Sequence, residues 1–148
     1  MLIKALLMVA SVLLTGVPAA AQSHAATDAD TIRHVLKSTF DTPTASVEVS
    51  PVVVASDYAL AGWTQGEMGG RALIRRRAGG WAIILCAGDQ LRNAETLRAA
   101  GVAAAMAERL TADLAKAESQ LPPERVAMFS RFEGLVTMDT DTGRAHGH

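Results

Sequence analysis

Tyr58-Ala59-Leu60-Ala61-Gly62-Trp63-Thr64-Gln65, then Gly66-Glu67-Met68-Gly69-Gly70, then Arg71-Ala72-Leu73-Ile74-Arg75-Arg76-Arg77, then Ala78-Gly79-Gly80 and Trp81-Ala82-Ile83-Ile84-Leu85-Cys86 is the run that decides the fold. Short segments rich in aliphatic and aromatic residues alternate with glycine breaks, which is how strands joined by turns read. Such short connections force antiparallel pairing, because a parallel partner needs a crossover of about a dozen residues or more. Residues 66–70 read as a hairpin loop leading into a strand over residues 71–77. Upstream, Val47, Val49 and residues 52–55 read as one more strand, interrupted or bulged at Pro51, with Ser56-Asp57 turning it into Tyr58. The centre of the chain is therefore a meander of about four antiparallel strands.

The period changes on both sides of it. Thr27-Asp28-Ala29-Asp30 is rich in helix-capping residues, and Ile32, Val35, Leu36 and Phe40 follow at helical spacing. That helix should stop near Asp41, since Thr42-Pro43 disfavours continuation. After Gly88-Asp89, Leu91, Ala94 and Leu97 lead to a glycine stop at Gly101. Val102, Met106, Leu110, Leu114, Ala117 and Leu121 then form an apolar stripe that Pro122-Pro123 ends. Val126, Phe129 and Phe132 should face the core, and residues 135–138 read as a short last strand. The fold class is α+β: a leading helix, an antiparallel sheet and C-terminal helices. This order resembles cystatin-like or nuclear-transport-factor-like curved sheets, a likeness of fold that carries no function by itself.

The two ends lie outside the domain. Met1-Leu2-Ile3-Lys4 is a short basic start, residues 5–17 are uncharged and apolar, and Pro18 precedes Ala19-Ala20-Ala21. That is the anatomy of a cleaved signal peptide, residues 1–21, and the apolar run is too short to cross a bilayer. The expected products are a single domain over residues 22–138, with residues 22–26 as a loose lead-in, and a flexible tail over residues 139–148. The protein is then periplasmic and not membrane-spanning after processing. Net charge is −1 across 148 residues, which excludes nucleic-acid or anionic-membrane binding by charge alone. Cys86 is the single cysteine and cannot form an internal disulfide, so a conventional apolar core must stabilise the domain.

Enzyme signatures are missing: the chain has no phosphate-binding loop with lysine, no G-x-S-x-G, no H-E-x-x-H and no C-x-x-C. The expectation is a non-enzymatic protein. Asp139-Thr140-Asp141-Thr142-Gly143 starts like a calcium loop but lacks the later bidentate glutamate. Arg75-Arg76-Arg77 reads as a solvated edge that discourages unwanted strand pairing. Trp63 reads as a cap on the core, and His34 as an ordinary surface or boundary histidine. Cleavage after Ala21 makes Gln22-Ser23-His24 the new start, with histidine third. The free amine, two backbone amides and the imidazole of His24 then offer four nitrogens in a plane, a geometry that suits Cu(II) or Ni(II). Amide deprotonation makes such binding weaken in acid, and cyclisation of Gln22 would remove the amine. His146 and His148 in the tail offer a weaker pair of imidazoles. Met68, Cys86 and Met138 are candidate soft sulfur ligands for Cu(I).

Pro51-Val52-Val53-Val54, the run Ala61 to Gly66, the longer run from Gly69-Gly70-Arg71 through Arg77, and Gly79-Gly80-Trp81 through Asp89 carry a further signal. With Phe129-Ser130-Arg131-Phe132-Glu133-Gly134 and the histidine-bearing tail, they resemble the bacterial copper uptake system-associated proteins. The resemblance covers residues 32–138 and implies a periplasmic accessory of copper uptake whose partners are copper transport or copper-handling proteins of the envelope. It assigns no catalytic residues or metal ligands. A competing reading is a periplasmic small-molecule or protein-binding module with no intrinsic metal role, in which Trp63, Arg71 and the loop over residues 66–70 line the ligand or partner surface.

Overall fold

The computed structural model describes residues 19–138, and within them the side chains of all but residues 19–23, 25 and 26. Helix α1, Ala19–Phe40, leads into strands β1, Glu48–Ala55; β2, Tyr58–Gln65; β3, Met68–Arg77; and β4, Gly80–Ala87. A 3-10 turn, Asp89–Arg92, precedes α2, Ala94–Ala99; α3, Ala104–Glu118; α4, Pro123–Phe129; and β5, Leu135–Thr137. The sheet is a five-stranded antiparallel meander in the order β1-β2-β3-β4-β5. The α+β class and its helix, meander and helices order are those expected from the residue pattern.

Helices cover both faces of the sheet. On one face, Ile32 and Leu36 of α1 are fully buried against a cluster that includes Val49, Ala61, Trp63, Ile74 and Trp81. On the other, Leu60, Leu73 and Leu85 meet Leu91, Leu97, Leu110 and Leu114. Each such leucine contributes about 1.5–3 kcal/mol by leaving water. Because β2 lies inside this sandwich, six of its residues in succession are buried. Gly62, between Leu60 and Trp63, lets the Phe129 ring of α4 approach the strand.

Four local expectations change. The helix begins eight residues earlier than Thr27, at Ala19, because the alanines flanking Gln22-Ser23-His24 are strong helix formers and nothing there breaks the helix. The supposed lead-in is helical backbone. The supposed loop over residues 66–70 is only the two-residue turn Gly66-Glu67, with Gly66 at φ 59°. Gly69 and Gly70 belong to β3, where a Cβ would meet the Met128 carbonyl oxygen at 2.6 Å and the Trp63 ring at 2.8 Å. These glycines answer to packing and not to turn geometry. The arginine run lies on a strand with neighbours on both sides, so it guards no edge; β1 and β5 are the edges. Pro51 does sit at a bulge, between the pairs Val49–Trp63 and Val52–Ala61 on the edge strand. Lastly, α3 ends at Glu118, short of Leu121, and its buried line is Ala107, Leu110, Leu114 and Glu118.

Candidate functional site

The N-terminal end of α1 is built around Asp28. Its carboxylate accepts from Arg76 NH2 at 2.6 Å and from Trp81 Nε1 at 3.1 Å. The Arg76 guanidinium lies 4.3 Å from the Trp81 ring centroid and also approaches Asp57 at 3.5 Å. Hydrogen bonding from Arg76 holds the Asp28 carboxyl below its ordinary range against the opposing effect of burial, with Trp81, the Arg76 charge and the His24 charge adding to it. This clamp ties α1 to the ends of β3 and β4. His24 stands exposed one helical turn beyond it.

In the intact chain, the helical pattern commits the amides of Ser23 and His24 to carbonyls four residues earlier, at Ala19 and Ala20. A chain beginning at Gln22 has no such carbonyls, and the first four N–H groups of a helix are free. Four-nitrogen chelation then costs the frayed first turn and no interior hydrogen bond. The imidazole of His34 is exposed later on the same helix. His146 and His148 lie outside the described residues.

The three sulfurs do not converge. Met68 is the first residue of β3 and half exposed. Cys86 is buried in β4, and burial pushes its thiol up to about 11, so it is a neutral thiol at neutral pH. Cys86 pairs with Val136, which places Met138 diagonally beside it on the α1 face. Met68 is four residues along β3 from Ala72, the partner of Cys86, a separation of about 13 Å. Among the described residues, no three His, Cys, Asp or Glu side chains come together as a metal site.

Trp63 and Arg71, expected on a ligand-facing surface, lie inside the protein. Trp63 stacks on Phe40 with centroids 6.2 Å apart and meets Phe132 edge-on at 5.8 Å. Arg71 is fully buried. Its Nε and NH2 donate to the two oxygens of Glu118 at 2.6 and 3.0 Å, and its NH1 donates to Asp89 at 3.1 Å. Asp89 also accepts from the Ser130 hydroxyl at 2.6 Å, and these partners hold its carboxyl below the ordinary range, Ser130 most of all. Phe129 lies over Arg71 at 5.4 Å, and Arg125 lies 5.5 Å from the same ring. Arg125 in turn donates to Thr64 and to the Ser50 carbonyl. The buried arginine thus joins β3 to α3, the 3-10 turn and α4.

This centre escaped the reading of the residues, although one signal was present. Glu118 follows Leu110 and Leu114 at intervals of four, so a carboxylate stands on the apolar line of α3. A charge there requires a buried partner. No family model, no curated protein and no solved structure matches this chain.

Proposed function

We propose that the processed chain is a non-enzymatic, periplasmic accessory of copper handling, binding Cu(II) through Gln22-Ser23-His24 and more weakly through His146 and His148. The observation that carries the reading is the exposed position of His24, one turn outside the Asp28 clamp. Chelation there unwinds the first turn of a shortened α1 and stops at a carboxylate held by two partners. The resemblance to copper uptake system-associated proteins supports the same role and points to envelope copper transporters or copper-handling proteins as partners. Copper is cargo in this scheme. Binding releases the amide protons of Ser23 and His24, so it weakens as pH falls.

The test is a titration against a competing chelator of three proteins: one beginning at Gln22, the same protein with His24→Ala, and one with an extra N-terminal residue. Both changes should abolish the tight site, whereas His146→Ala with His148→Ala should remove only the weaker one. Equal copper retention by all three would end the N-terminal mechanism. A second reading, a binding module with no metal role, is favoured by one feature. An apolar groove of about 280 Å³ between β4, β5 and α2 includes Leu135, and exposed Val136 lies beside it on β5.

A further inference from the structure

The groove between α2 and the last two strands ends beside an unengaged cation. Ile84 of β4 with Leu135 and Thr137 of β5 form its floor, and Thr96, Ala99 and Ala100 form its α2 wall. Among the described residues that line it none is charged, and the hydroxyls of Thr96 and Thr137 are its polar side-chain groups. Leu135 stays 46% exposed in this apolar setting, so a large hydrophobic surface there lies open to an occupant.

Two separate paths bring Arg75 to the Ile84 end. The first runs through the sheet. Ile74 faces α1, so its neighbour Arg75 turns to the α2 side. Arg75 pairs with Ala82, two residues before Ile84. One strand spacing across and two residues along set the Arg75 and Ile84 backbones about 8 Å apart, and small Ala82 leaves the arginine stem free to lean that way. The second path runs through Tyr58. The Arg75 guanidinium lies 5.6 Å from the centre of the Tyr58 ring, and the Tyr58 hydroxyl donates to the Gly101 carbonyl at 3.4 Å. Gly101 directly follows Ala100 of the groove wall.

The charge of Arg75 is also uncommitted. Neighbouring Arg76 is held by Asp28 and Asp57. Arg75 is exposed, rests on the Tyr58 ring and has no carboxylate partner among the described residues. A guanidinium lying over a ring keeps its N–H edge available for a planar anion.

We propose that this groove binds an unbranched medium-chain carboxylate, with the alkyl chain between α2 and β5 and the carboxylate on Arg75. The lining selects the body of the ligand. Sugar or nucleotide hydroxyls would be left unpaired against alanine, isoleucine and leucine, which is costly, whereas an alkyl chain covers Leu135 and gains by leaving water. The single cation at one end selects the head, since the arginine fork matches a carboxylate with two parallel N–H bonds. Size sets the length. About 280 Å³ is the space of roughly nine water-sized groups at about 30 Å³ each, which suits a chain of about eight carbons. The inference rests on the binding-module reading, to which it gives a ligand, and it uses none of the proposed copper ligands.

The test titrates metal-free protein with sodium octanoate and, separately, with n-octanol, followed by amide and arginine Nε shifts in proton–nitrogen correlation spectra. Octanoate should shift Ile84, Ala99, Ala100 and Thr137 together with the Arg75 Nε. It should bind roughly fivefold more tightly than octanol, the gain that a well-formed exposed ion pair allows. Arg75→Gln, at an exposed position, should bring octanoate down to the level of octanol and leave octanol binding unchanged. Ala99→Trp, on the exposed part of the wall, should fill the groove and abolish both. Equal binding of the two probes by the parent, or a preference that survives Arg75→Gln, would overturn the carboxylate assignment while leaving a groove that takes apolar chains. No shift at the groove with either probe would end this proposal together with the groove's support for a binding module, and copper titration would still decide the copper reading separately.

Discussion

Replacing Glu118 by Gln tests the buried centre most directly. The substitution keeps the shape of the side chain but removes the charge that both the Nε and NH2 groups of Arg71 bond. Arg71 is fully buried, and its other carboxylate, Asp89, has a largely solvated side chain, so the guanidinium keeps a full charge with little left to balance it. Removing one partner of a buried pair costs about 3–5 kcal/mol. For a domain of this length, that is a fall in Tm of roughly 10–20 °C. Thermal unfolding followed by far-UV circular dichroism at neutral pH measures it. Arg109→Ala, which breaks the exposed pair with Asp113 at 3.7 Å, is the control and should cost about 0.5 kcal/mol or less. Arg71→Met combined with Glu118→Leu should recover much of the loss, because apolar replacement removes both charges at once. A Glu118→Gln protein within about 1 kcal/mol of the parent would show that solvent or Asp89 compensates Arg71, and the stabilising role given to the Arg71–Glu118 pair would fail.

Two further outcomes concern the same core. Asp28 and Asp89 both have carboxyls held below the ordinary value of 3.8, so their contribution is complete above about that pH and is lost as pH falls through the depressed values; acid unfolding of Asp28→Asn with Asp89→Asn should show a shallower dependence below pH 4 than the parent, and identical acid limbs would contradict the assignment. Gly62→Ala places a Cβ 2.7–3.0 Å from three Phe129 ring atoms and should cost about 1–3 kcal/mol; urea denaturation in a Phe129→Leu background should show a smaller penalty, and an unchanged one would place the strain elsewhere.

The elements were legible because their causes are local. The turn at Ser56-Asp57, the bulge at Pro51, the stop at Gly101 and the proline start of α4 all follow from neighbouring residues. So do the antiparallel order, from short connections, and the buried face of α1, from Ile32 and Leu36. The glycines after Met68 were misread because they answer to distant parts of the chain. Gly69 and Gly70 resemble a loop until Met128, Trp63 and Phe132 crowd them.

The candidate site divides in the same way. Chain order alone puts His24 third in any chain that starts at Gln22, and puts one residue between His146 and His148. Only the tertiary structure decided that His24 stands outside a clamp, that Cys86 is a buried neutral thiol, and that Trp63 and Arg71 are interior. Arg71 and Glu118 are 47 residues apart in sequence. Their pairing depends on α3 packing on the sheet so that Glu118, at its end, reaches Arg71 of β3. A side chain's partner is local only when its chain neighbours supply it; at the Arg71 centre the partners come from a 3-10 turn and two helices.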